Sequence, residues 1–227
     1  MTKKLGFLFL LILCLGAFLF ILPKTRVKSS EKITIAAVGD SITYGLGVGR
    51  NRKTLSYPAL LAKKLGSRYD VINYGLSGRT MLSTANFPYF KEKAAADSLK
   101  SQANIVLIML GTNDSKKVNW NADQYQTDYQ KAIRRYQQMS SHPKIILMIP
   151  PRCFISQATV TRPNNRVIKE EIRHIIPQLA KKMGCQVIDL YALTQNHPDW
   201  FADGVHPNKH GNKAIAQLVY QTIKADS

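Results

Sequence analysis

The amino-acid sequence predicts an α/β fold, a five-stranded parallel sheet with helices on both faces. Two observations carry this. Five short apolar runs rich in β-branched residues recur between residues 33 and 190, and stretches with helical patterning separate them. Parallel neighbours need crossovers of that kind, and strands buried on both faces read as unbroken apolar runs.

Taken in order, Ile33–Val38 (ITIAAV) is the first strand, ended by Gly39. Tyr57–Leu65 is helical, with Leu60, Leu61 and Leu65 on one side and Gly66 as a stop. Val71–Tyr74 is the second strand, Phe90–Leu99 the next helix, and Ile105–Leu110 (IVLIML) the third and most apolar strand. Tyr125, Tyr129, Ala132, Ile133, Tyr136 and Met139 then mark one face of a long helix. Ile145–Ile149 is the fourth strand and stops at Pro150-Pro151. Val167–Met183 is helical, and Pro177 is expected to kink or divide it. Gln186–Leu190 is the fifth strand, and Lys213–Ile223 closes the domain as a helix.

At 227 residues the chain suits one domain plus an appendage. Three cysteines exclude a disulfide-stapled scaffold and a four-cysteine zinc site. Thirty-two Lys+Arg against 14 Asp+Glu give a formal charge of +18, which favours anionic partners. A lysine-rich solvated surface is the plain explanation. No basic stripe is interleaved with aromatics, so no nucleic-acid partner is expected.

The appendage is read as a membrane segment. Leu5–Leu22 is uncharged throughout and follows Lys3 and Lys4. As a helix it would reach about 27 Å, close to the hydrocarbon core of a bilayer. No small-x-small cleavage site follows it, so residues 1–22 read as an uncleaved anchor rather than a removed signal. Residues 23–32 read as a basic linker and 33–227 as the globular domain. The expected location is the cytoplasmic membrane, single-pass, with the domain outside; secretion after cleavage is the alternative.

Ligands of parallel sheets bind where the strands end, so the chemistry belongs in the loops after each run. Those loops read Gly39-Asp40-Ser41-Ile42-Thr43, then Asn73-Tyr74-Gly75-Leu76-Ser77-Gly78, then Gly111-Thr112-Asn113-Asp114. Asp203-Gly204-Val205-His206-Pro207 stands near the carboxyl end. Each string alone is weak, because a lone serine there is usually a cap and Asp-Gly usually a turn. Four in this order resemble the SGNH, or GDSL, hydrolase family over residues 33–222. The resemblance implies a flavodoxin-like three-layer α/β/α sandwich.

The residue types supply the roles. Ser41 is the candidate nucleophile, His206 its base, and Asp203 the acid that orients the imidazole. Serine followed by Asp-x-x-His matches the family, and no G-x-S-x-G elbow is present. The resemblance implies an oxyanion hole of the Ser41 N–H, the Gly75 N–H and the Asn113 amide. Asp40 and Asp114 read as loop organisers. His197 and Asp199 are the rival acid–base pair. His206 and His210 lack the glutamate of a zinc helix, and Gly45–Gly49 lacks dinucleotide spacing, so neither metal nor cofactor is expected. Cys153 and Cys185 read as free buried thiols, and Trp120 and Tyr44 as packing residues rather than sugar platforms.

The resemblance implies a carboxylic ester hydrolase acting on a small-molecule, glycan or lipid ester. O-acetylated carbohydrate or a short acyl ester at the cell envelope is the leading expectation. A lysophospholipase or thioesterase, a glycan O-acyltransferase and a non-catalytic glycan-binding module are the alternatives. The oligomeric state is not legible.

Overall fold

In the computed structural model, residues 32–155 and 159–225 are described. The expected anchor and most of the basic linker lie outside them. Among the described residues no helix is long and apolar enough to cross a membrane.

The five strands are β1 (Ile33–Gly39), β2 (Tyr69–Gly75), β3 (Ile105–Met109), β4 (Lys144–Ile149) and β5 (Gln186–Asp189). They form one sheet in the order β2-β1-β3-β4-β5, every neighbouring pair parallel. That is the order of flavodoxin-like sheets, and the five parallel strands are as expected. Alternate residues of each strand face opposite ways and build two apolar layers. Ile35, Ala37, Leu107, Met109 and Ile146 pack under the helices Tyr57–Leu65 and Lys209–Lys224. Ala36, Val38, Val106, Ile108 and Leu147 pack under the helices Lys93–Lys100, Ala122–Gln137 and Arg173–Met183. Sheet and layers lie wholly within the compact unit Glu31–Ser227, so this unit carries its own hydrophobic core, as domains that fold alone do.

The strand order places the site. β2 lies on one side of β1 and β3 on the other, so the chain leaves these strand ends in opposite directions. In sheets of this kind, ligands bind at the point where the order reverses. The loops after β1 and β3 are the ones that carry Ser41 and Asn113.

Three elements differ from expectation. The helix placed at Phe90–Leu99 is split into a 3-10 turn, Tyr89–Lys91, and the helix Lys93–Lys100, with Glu92 extended between them. Tyr89 is the cause: its N–H bonds the Thr80 carbonyl and its hydroxyl the Tyr74 carbonyl, which pulls the chain inward before the helix can begin. Pro177 does not divide its helix. The backbone runs helical from Asn165 to Met183, and a π turn at Ile168–Ile172 precedes the proline. The last helix begins at Lys209, not Lys213, because the Asn208 side chain accepts from the His210 and Gly211 N–H groups.

One buried side chain joins fold to site. Asn212 accepts from the Tyr57 N–H at 2.8 Å and donates to the Pro207 carbonyl at 2.6 Å and the Asn208 carbonyl at 3.0 Å. It thus ties the start of one helix to the turn that follows His206. Asn212→Leu strands a buried donor and acceptors and should lower unfolding free energy by about 2–4 kcal/mol. Urea unfolding measures this, and a change below about 0.5 kcal/mol would deny the role.

Candidate active site

Ser41 opens a helix of four residues, Ser41–Tyr44. The Asp40 carboxylate caps it by accepting the Ile42 N–H at 2.9 Å, and Gly45, in the left-handed region at φ 91°, ends it. The serine is therefore fixed on a tight turn at the strand end. Its Oγ lies 2.8 Å from His206 Nε2.

His206 Nδ1 lies 2.5 Å from Asp203 Oδ2. The other carboxylate oxygen accepts the Val205 N–H at 2.9 Å and the His206 N–H at 2.8 Å. Burial pushes the Asp203 carboxyl up, but the hydrogen bonds from His206 and Val205 outweigh it and hold the group below its usual range. The structure thus brings Ser41, His206 and Asp203 into one chain of contacts.

The rival pair stands apart from it. The His197 ring stacks on Trp200 with centroids 3.7 Å apart, and its Nδ1 is 3.9 Å from Asp199. Both side chains are exposed, and Ser41 bonds to His206 instead.

Asn113 is buried, and its amide donates to the Arg79 carbonyl at 3.1 Å and, more weakly, to Asp40 at 3.4 Å. The Gly75 N–H departs from expectation. It donates to Asn73 Oδ1 at 2.8 Å, while Asn73 Nδ2 donates to the Thr43 carbonyl at 2.8 Å. Asn73 therefore clips the end of β2 to the Ser41–Tyr44 helix and takes up the donor assigned to the oxyanion. Glycine is needed at 75 for another reason: a Cβ there would stand 2.3 Å from the Tyr44 nitrogen. Gly78, three residues on at φ 83°, has an N–H without a hydrogen-bond partner among the described residues. It adjoins Arg79, whose carbonyl holds Asn113. Sequence reasoning missed Asn73 and Gly78. An asparagine two residues before a glycine was the available signal for the first.

Asp40 and Asp114 organise loops, as expected. Asp114 accepts the Met81 N–H at 3.0 Å and the Leu82 N–H at 2.8 Å, binding the loop after β2 to the loop after β3. Burial pushes Asp40 up to about 6 and Asp114 up to about 7 against the hydrogen bonds each accepts. Half-buried Lys116 faces both. Trp120 packs as expected, donating to Glu171 at 2.8 Å with its ring tilted on Tyr125. Tyr44 lies under the Arg52 guanidinium. Cys153 and Cys185 are free thiols, raised by burial to about 12 and about 11.

Among known proteins, the model of the GDSL-like lipase/acylhydrolase family matches residues 37–214. The chain belongs to this family, the SGNH/GDSL hydrolases. An acetylxylan esterase of Xylanibacter ruminicola is 35% identical over 229 aligned residues, covering 92% of this chain and 46% of that protein. The chain thus spans about half the length of that relative. The thioesterase 1/protease 1/lysophospholipase L1 of Escherichia coli K12 is 24% identical and covers 91% of this chain and 90% of itself. A carbohydrate acetylesterase from Sinorhizobium meliloti shares the fold, with a TM-score of 0.70 at 19% identity over 86% of this chain and all of that one.

The buried carboxyl of Asp114 carries a pH signature. An acid whose pKa rises on folding, here Asp114 from 3.8 to about 7, holds a proton that the unfolded chain has released. Its contribution therefore favours folding at low pH and is lost as pH rises between those two values. Asp114→Asn should flatten that part of the stability profile, measured by urea unfolding at stepped pH. An unchanged slope would show that Asp114 is ionised throughout.

Proposed function

We propose that this carboxylic ester hydrolase cleaves short acyl esters, above all O-acetyl groups on carbohydrate, through Ser41, His206 and Asp203. The observation that carries the reading is the unbroken relay from Ser41 Oγ through His206 to Asp203, with contacts of 2.8 and 2.5 Å. The match to an acetylxylan esterase supports the acyl class.

In this mechanism His206 Nε2 takes the Ser41 proton as Oγ attacks the acyl carbonyl. Asp203, kept ionised, stabilises the imidazolium and fixes its tautomer. The Ser41 N–H, at the start of its short helix, and the Asn113 amide receive the developing oxyanion. Gly78 replaces Gly75 as the second backbone donor. The imidazolium then protonates the leaving alcohol, and water, deprotonated by His206, releases the acid from the acyl-serine.

Ser41→Ala should keep the unfolding temperature and lower turnover by at least about a thousandfold. Asn113→Ala should lower kcat by roughly a hundred- to a thousandfold with little change in KM. The assay is a series of p-nitrophenyl esters of increasing chain length, on Glu31–Ser227. Acetate should be preferred. Preference for long acyl chains would select the lysophospholipase or thioesterase reading, and near-wild-type turnover in folded Ser41→Ala would remove the nucleophile.

The proposal extends to location. The uncharged run Leu5–Leu22 and the missing cleavage site support a retained anchor with the domain outside the cytoplasmic membrane. Protease added to intact cells should degrade the domain. Digestion only after lysis would place it inside, as Lys24, Arg26 and Lys28 would then dictate.

A further inference from the structure

The exposed large hydrophobic residues of the described chain are Leu46 (45% exposed), Phe87 (64%), Val118 (51%) and Val160 (51%). Each stands in a connection at the carboxyl end of the sheet, after β1, β2, β3 and β4 in turn, with Leu46 opening a 3-10 turn, Leu46–Asn51. Scattered single exposures are ordinary, but these are not scattered. The Val118 N–H bonds the Val160 carbonyl at 3.2 Å, and the Asn86 N–H bonds the Asn119 side chain at 3.3 Å. Phe87, Val118 and Val160 thus form one ridge on the side of the β2, β3 and β4 loops. Leu46 stands on the other side, where Gly47 packs on the His206 and Pro207 carbonyls.

Charge follows the same outline. Segments 46–56, 76–88, 115–121 and 159–164 contain no acidic residue. Among the described residues Arg50, Arg52, Lys53, Lys117 and Arg162 make no ion pair. An open surface depression of about 400 Å³ lies beside Leu46, lined by Tyr44, Gly49, Arg50, Arg52 and Lys53.

We propose that these loops dock the mouth of the site onto an anionic phospholipid surface. The cations without ion pairs meet the headgroup phosphates, and the depression beside Leu46 gathers three of them, Arg50, Arg52 and Lys53. The apolar tips reach the boundary between headgroups and acyl chains. A soluble polyanion would engage the cations but leaves the ridge in water without a partner, so a bilayer accounts for both features. Resting on the reading of Ser41 as nucleophile, docking favours esters carried at a membrane surface over free ones.

The test is sedimentation of Glu31–Ser227 with vesicles of phosphatidylcholine alone and of phosphatidylcholine with phosphatidylglycerol. Binding should require phosphatidylglycerol and weaken as salt rises. Phe87→Ser/Val118→Ser/Val160→Ser and Arg50→Glu/Arg52→Glu/Lys53→Glu should each weaken it at least about tenfold, with unfolding temperatures retained. Should either triple variant fold poorly, Phe87→Trp serves alone: its emission should shift to the blue on adding anionic vesicles. Absence of binding, no shift, or binding that survives the serine changes and is displaced by a soluble polyanion would overturn the proposal. Ser41→Ala should bind as wild type does, so vesicle binding and ester hydrolysis fail separately.

Discussion

The contact between Ser41 Oγ and His206 Nε2 joins the first loop of the domain to its last, 165 residues apart in sequence. Nothing local fixes that distance. It is set by a sheet whose order reverses between the ends of β1 and β3, and by two helices on one face that hold the final loop there. Asn212 couples the two ends through the Tyr57 N–H and the Pro207 carbonyl. The energetic burden therefore falls on packing that never touches a substrate.

Around that contact the chain invests in buried polar groups that hold loops. Asp40 caps the Ser41–Tyr44 helix, Asp114 gathers the Met81 and Leu82 N–H groups, and Asn73 spans Thr43 and Gly75. Each uses its side chain on backbone, which costs desolvation and yields position. The raised pKa values of Asp40 and Asp114 measure that burial, whereas Asp203 is held low by the histidine it serves. Similar carboxyl groups thus differ by environment, and the one beside the imidazole remains charged.

Much of this was legible in the sequence. The strands were, because apolar runs such as Ile105–Met109 admit few other burials. The Tyr57–Leu65 helix was, because glycine follows a clear apolar face. Boundaries set at a distance were not: Tyr89 breaks its helix by reaching Tyr74 and Thr80, and the helix that holds Pro177 runs on undivided after a π turn at Ile168–Ile172. Within the site, residue types and order pointed to Ser41, Asp203, His206 and Asn113, and the structure brings the first three into contact. The choice between Gly75 and Gly78 was not legible, since spacing says nothing of which N–H a neighbouring side chain will claim. The face made by Leu46, Phe87, Val118 and Val160 was equally hidden, because its members lie in four separate connections.

The most direct test of the central claim is covalent labelling of Glu31–Ser227 with a fluorophosphonate, followed by peptide mapping. The reagent adds to a serine whose proton a neighbouring base removes, and it loses fluoride. The account predicts a single label on Ser41, formed in step with loss of esterase activity and nearly abolished in His206→Ala. A label on another serine that tracks the loss of activity, or full labelling of Ser41 in His206→Ala, would contradict it.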